Sequence, residues 1–198
     1  MAYDHELTVD EKRELLRIAR STLKEFVVAG RLPPGAPHRK TLLALAGAFV
    51  SLHQGAELRG CIGTVGEVSP LYKVVQEMVV AAATRDPRFT PVTAEELGQL
   101  WIEISVLGPR ARVPAPEAIE VGKHGLFVSA QGRRGLLLPQ VAAEHRWDGR
   151  TFLEKTCEKA GLPPDAWLAP DAVVEQFPAQ VFSEKGFEAQ QFAFAPKR

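Results

Sequence analysis

The stretch Leu58-Arg59-Gly60-Cys61-Ile62-Gly63-Thr64 holds the residue types best suited to chemistry. Cysteine reacts as its thiolate, and a neighbouring guanidinium favours that form. In an extended strand alternate side chains share a face, so Arg59 and Cys61 fall on one side and Leu58 and Ile62 on the other. Two glycines in so short a run cost backbone entropy and offer nothing to pack. Gly60 and Gly63 therefore suggest the close approach of a backbone or ligand, or a bulge that re-aims a side chain. The alternative is that Cys61 is a small buried apolar residue, as many free cysteines are. These residues leave both readings open.

Three further places carry reactive types. Leu100 to Leu107 alternates cleanly, and Glu103 shares its face with Trp101 and Leu107. Partial cover there would raise the carboxyl's pKa and suit it to acid or base work. The loop around Arg85, Asp86 and Arg88 reads as a self-paired surface cluster, and His124 stands where an extended segment begins. Gln140, one residue after Pro139, is a polar group able to orient a substrate. Nucleophilic catalysis needs thiol and base within hydrogen-bond reach, which separation in sequence does not decide.

These side chains must be held by elements whose signals are plain. Thr8 and Glu11 form a capping box ahead of apolar residues at helical spacing, which predicts a helix over 9–29 stopped by Gly30. The apolar run 41–53 turns at Gly55-Ala56 into the signature, so the two form a hairpin. With Gly55-Ala56 as the turn pair Val50 lies opposite Cys61 and Leu52 opposite Arg59, whereas a longer turn would change the register. Apolar residues on both faces place the signature strand inside the sheet. Ser69-Pro70 opens a second helix whose buried face is Leu71, Val74, Val75, Met78, Val79 and Ala82. Thr93 with Glu96 suggests a short capped helix. Gly108 to Pro116 contains three prolines and is the expected break between lobes. Beyond it lie a hairpin turning at Gln131-Gly132-Arg133-Arg134, a helix opened by Pro139 and a helix capped by Asp148. Cys157 sits on the apolar stripe of that last helix with Phe152 and Leu153, and is expected in the core. Segments 172–182 and 187–194 read as a closing hairpin. Helices and hairpins mixed without strand-helix-strand alternation indicate an α+β fold with mainly antiparallel sheet.

Composition excludes several classes. Lys plus Arg and Asp plus Glu both number 24, so no net charge draws the chain to nucleic acid. No apolar run approaches the length of about 20 residues that spans a membrane. The two cysteines and five histidines show no zinc-ligand spacing. With no signal-type apolar region at the start, a reduced cytoplasmic setting is the expectation.

The signature resembles that of the AMMECR-type domain family, the AmmeMemoRadiSam system protein A group. The resemblance continues in Asp86-Pro87-Arg88-Phe89, Ile102-Glu103-Ile104-Ser105-Val106-Leu107, Lys123-His124-Gly125-Leu126, Leu138-Pro139-Gln140-Val141, Phe152-Leu153 and Lys159-Ala160-Gly161-Leu162, in order along nearly the whole chain. It implies one AMMECR-type domain over 1–198, with two unequal lobes around a cleft and a lobe break near 108–116. It also implies that Arg85, Asp86 and His124 border that cleft. Two functions follow as expectations. One is an enzyme with Cys61, Glu103 and His124 as catalytic groups and Arg59, Gly60, Gly63, Arg85, Asp86 and Gln140 as its binding residues, Arg59 receiving an anion. The other is a non-catalytic module for a Memo-type protein and a radical S-adenosylmethionine enzyme, whose Cys-rich cluster motif this chain lacks. No cofactor is indicated.

Overall fold

The computed structural model describes residues 6–34, 37–66 and 69–187. Its contacts divide the chain into two units, Met1–Leu107 with Gln180–Arg198 and Gly108–Ala179. Both are antiparallel sheet with flanking helices, so the α+β class holds.

The first unit begins with α1 (Val9–Ala29). Thr8 Oγ1 accepts from Glu11 N–H, the Glu11 carboxylate returns to Thr8 N–H, and Gly30 ends the helix at φ +64°. Three strands follow in the hairpin β1 (Ala48–Gln54) and β2 (Glu57–Thr64) and the later β3 (Leu100–Leu107). β1 lies between the other two, antiparallel to each. Val50, Leu52, Ile102 and Ile104 are fully buried on one face, beneath α1 and α2 (Leu71–Thr84). Phe49, Ser51, His53, Cys61, Trp101 and Glu103 occupy the opposite face and are half-buried. β3 is held at its start by Arg20, which pairs with Glu184 and donates to the carbonyls of Leu97 (3.2 Å) and Leu100 (2.8 Å).

The second unit holds the short β4 (Ala111–Arg112), β5 (His124–Ala130), β6 (Arg133–Leu137), α3 (Pro139–Glu144), α4 (Gly149–Lys159) and β7 (Val173–Ser183) as far as Ala179. β5 pairs with β6 and β7, and β4 with β7. Asp148 caps α4 by accepting from Thr151 N–H at 2.7 Å. Cys157 is fully buried with Phe152, Leu153, Leu126 and Val128, as its place on the apolar stripe requires.

Several local expectations are corrected. β2 is an edge strand, pairing with β1 alone among the described residues. Both its faces are apolar because the helices cover one and aromatic side chains partly cover the other. The hairpin turns at Gly55-Ala56, but β2 carries one extra residue: Gln54 faces Glu57 and His53 faces Leu58, then Leu52 faces Gly60 and Ser51 faces Cys61. Arg59 is the bulged residue. The shift of one position moves Cys61 from opposite Val50 to opposite Ser51. Pro70, tied to Leu45 by a bridge, keeps an extended ψ of 137° and serves as N-cap in place of Ser69, so α2 starts at Leu71. Residues 94–99 form turns and not a helix, although Thr93 N–H does donate to the Glu96 carboxylate, which Arg59 also binds. Residues 173–183 are a single strand, and 188–194 lie outside the described residues.

The two signature glycines have separate reasons. A Cβ on Gly60 would lie 2.2 Å from the Ala82 carbonyl oxygen of α2, so Gly60 lets helix and strand meet. A Cβ on Gly63 would lie 2.2 Å from the ring of Phe49, its partner across the hairpin. Gly60→Ala forces backbone from backbone and is expected to destabilise the protein by about 3 kcal/mol. Gly98→Ala, with open space at the Cβ position, is expected to change stability by less than about 1 kcal/mol. Urea denaturation of the two variants checks this, and equal losses would contradict it.

Candidate functional site

The bulge builds the site. With Arg59 taken out of step, Cys61, Ser51 and Glu103 become directly opposed residues on three adjacent strands and share the half-buried face. Ser51 Oγ donates to Cys61 Sγ at 3.2 Å, a close pairing of a kind that non-hydrogen-bonded positions of an antiparallel ladder favour. The Cys61 N–H points away from β1, toward the free edge, where Asp86 Oδ2 accepts it at 2.8 Å.

Asp86 comes from the loop that follows α2 and is 4% exposed. A buried carboxylate is tolerable only when its lone pairs are filled. Oδ1 accepts from Arg88 N–H (3.1 Å) and Arg88 Nε (2.9 Å), while Oδ2 accepts from Arg88 Nη2 (2.6 Å) as well as from Cys61. The Arg88 guanidinium, helped by these backbone donors, holds the Asp86 carboxyl well below the usual carboxylate range against the opposing effect of burial. Asp86 and Arg88 thus pair as a loop cluster should, but the carboxylate is buried against β2. Arg85, at the end of α2, is exposed.

Arg59 is occupied. Its Nε and Nη2 reach the two oxygens of Glu96 at 2.7 and 3.2 Å, and its Nη1 donates to the Thr90 carbonyl at 3.0 Å. The Arg59 pairing in turn holds the Glu96 carboxyl below its ordinary value. The guanidinium that acts on the Cys61 thiol is that of Arg88. Burial pushes the thiol's pKa up, more than the Ser51 hydrogen bond and Arg88 bring it down, while Asp86 and Glu103 add to the rise. Cys61 therefore rests as a thiol. Gly60 and Gly63 serve packing on opposite faces and do not open space for a ligand.

His124 and Gln140 belong to the second unit. His124 faces Pro178 at the start of β5, and its buried Nδ1 has no hydrogen-bond partner among the described residues. Gln140 is half-buried near the start of α3. Among the described residues no group of three or more His, Cys, Asp or Glu could hold a metal ion, and no helix is long and apolar enough to cross a membrane.

Sequence reasoning missed Ser51 and His53. Ser51 is the one hydroxyl in the buried stretch of β1, a signal that acquires meaning only in the bulged register. His53 stacks on Trp101 with ring centroids 4.0 Å apart. Burial and the charge of Lys185 lower its pKa, so the imidazole is neutral.

Comparison with known proteins places this geometry in a family. Residues 16–182 match the AMMECR1 model. A protein of Methanothermobacter thermautotrophicus is 44% identical over 189 residues, covering 91% of this chain and 97% of its own. Protein MJ0810 of Methanocaldococcus jannaschii is 39% identical, covering 90% and 92%. The crystal structure of the uncharacterised protein PH0010 from Pyrococcus horikoshii superposes with a TM-score of 0.83 at 39% identity, over 88% of this chain and 92% of that one.

The Asp86 network predicts an acid-dependent stability. A carboxyl whose folded pKa is depressed contributes stability above its unfolded value, near 3.9, and loses it as pH falls toward the folded value. Asp86→Asn is expected to cost about 2 kcal/mol at pH 7, because one charge-assisted partner of Arg88 and Cys61 is lost. The difference from wild type should shrink steadily below about pH 4. Urea denaturation across pH 2.5–7 measures it, and a constant difference would exclude Asp86 as its source.

Proposed function

The chain belongs to the AMMECR1 family, and we propose that it is an enzyme whose chemistry is done at the Cys61 thiol, on a small molecule or a modified protein group. One observation carries the reading: Cys61, Ser51 and Glu103 are aligned across three strands on the half-buried face, with the thiol 3.2 Å from a hydroxyl. A sheet that needed only packing would gain nothing from placing a thiol, a hydroxyl and a carboxylate side by side, since buried polar groups are costly unless paired.

The residues divide the work by their chemistry. Cys61 is the nucleophile or proton donor. Ser51, already donating to sulfur, stabilises the thiolate once the proton leaves. Glu103, whose negative charge adds to the rise that burial causes in the thiol's pKa, is the acid–base partner. His53, two residues along β1 on the same face and neutral, is a second proton acceptor. Arg59, Gly60 and Gly63 act as framework in this reading, and Asp86 sets the position of Cys61 through its backbone.

The thiol raised by burial favours a second reading, a non-catalytic module for a Memo-type protein and a radical S-adenosylmethionine enzyme, as the family resemblance implies. Native alkylation separates the two. Iodoacetamide should modify Cys61 and leave the fully buried Cys157 untouched. Because the Cys61 pKa is raised, its rate should still be climbing above about pH 8.5, the free-cysteine value. At pH 8, Ser51→Ala should slow the reaction and Glu103→Gln should speed it, each by roughly three- to tenfold, the scale of half to one pKa unit. A Cys61 that reacts no faster than Cys157, or is indifferent to both substitutions, removes the nucleophile and leaves the module.

A further inference from the structure

We infer that Arg88 is the anion-recognising residue of the Cys61 site, so that the group presented to the thiol carries a carboxylate or phosphate beside it. The inference rests on Cys61 lying at the site proposed above, and it gives that site a ligand class.

The geometry is that of a shared oxygen. Asp86 Oδ2 accepts from the Cys61 backbone at 2.8 Å and from Arg88 Nη2 at 2.6 Å, so one carboxylate oxygen separates the guanidinium from the cysteine. The Asp86 charge does not cancel Arg88 for an approaching ligand, because the two halves of the pair face different media. The Asp86 side chain is 2% exposed and its oxygens are turned inward onto Cys61 and Arg88, whereas the Arg88 side chain is 54% exposed. A molecule arriving from solvent meets the cation and not the anion.

Arg88 also keeps donors to spare. Nε and one N–H of Nη2 are spent on Asp86, and a guanidinium carries five N–H groups in a rigid fork. Nη1 has no partner among the described residues. Clamped on one edge and open on the other, the fork is pre-oriented, so little side-chain entropy remains to be lost on binding a planar or tetrahedral oxyanion. Phe89 holds it from beside, its ring centroid 5.3 Å from Arg88 Cζ and 5.8 Å from Arg59 Cζ. Arg59 differs in the decisive respect. Both oxygens of Glu96 and a backbone carbonyl engage all three of its nitrogens, and its side chain is 13% exposed. Of the two guanidiniums that flank Phe89, only Arg88 offers an open edge.

The test compares two reagents that alkylate cysteine identically but differ in charge. With iodoacetate or iodoacetamide the sulfur attacks the methylene carbon, the C–S bond forms as the C–I bond breaks, iodide leaves with the electron pair, and the thiol proton passes to solvent. The iodoacetate-to-iodoacetamide rate ratio at Cys61, read by mass mapping and normalised to glutathione, should fall about three- to tenfold in Arg88→Gln, the scale of one partly screened charge. Arg88→Lys should restore part of it. In wild type the ratio should decline toward the free-thiol value as salt is raised, which needs no variant to fold. A ratio that Arg88→Gln and salt leave unchanged overturns the inference. Should neither reagent modify Cys61, the nucleophile reading falls, and binding is decided in Cys61→Ser instead. There, inorganic phosphate should shift the Arg88 Nε–H nuclear magnetic resonance to saturation while that of Arg59 stays in place. Equal or unsaturated shifts at the two arginines overturn the proposal.

Discussion

The buried carboxylate of Asp86 is the constraint on which the site depends. An edge strand presents unpaired backbone groups that must meet something, and at Cys61 that something is a side chain from the loop after α2. The same carboxylate could not be buried without Arg88, which supplies three of its four hydrogen bonds. Edge strand, loop and guanidinium are therefore one unit energetically: removing Arg88 leaves the buried Asp86 carboxylate short of donors, and removing Asp86 leaves the Cys61 N–H without its partner.

A second constraint works along the strand. Gly60 must face the Ala82 carbonyl and Gly63 must face the Phe49 ring. Residues three apart in a strand lie on opposite faces, and the observed register of β2 decides which face each takes. The bulge at Arg59 supplies that register, and the ion pair of Arg59 with Glu96 secures the bulged residue outside the ladder. Packing on one face and the row of Cys61, Ser51 and Glu103 on the other are thereby set by the same inserted residue.

The thiol sits among opposing effects whose net result is a raised pKa. Ser51 and Arg88 favour the thiolate, while burial and two carboxylates oppose it, and burial is the largest of these. Arg88 is the part of this set open to solvent, so the thiol responds to what binds there. An anion held by Arg88 would withdraw that guanidinium's help and favour the thiol, whereas a neutral ligand would leave it in place.

Much of the fold was legible from local rules. The capping box at Thr8 and Glu11, the αL stop at Gly30, the alternation of Leu100 to Leu107 and the apolar stripe around Cys157 each depend on neighbours within a turn or a strand, and each has the structure its pattern implies. Cys61 stood out as the centre of a candidate site because its heptad broke those rules. What surrounds Cys61 was not legible, since it depends on a single extra residue in a strand whose side-chain period is two: one bulge exchanges Val50 for Ser51 opposite the thiol and brings Glu103 into its row. The arginines show the same limit. Arg59 and Arg88 are alike as residue types near one cysteine, and only tertiary pairing, Arg59 with Glu96 and Arg88 with a buried Asp86, decides which guanidinium is closed and which stays open to solvent. Local sequence determines where a chain can be helical, extended or turned; which long-range partner fills a charged side chain's donors is settled when distant segments compete for it in the folded protein.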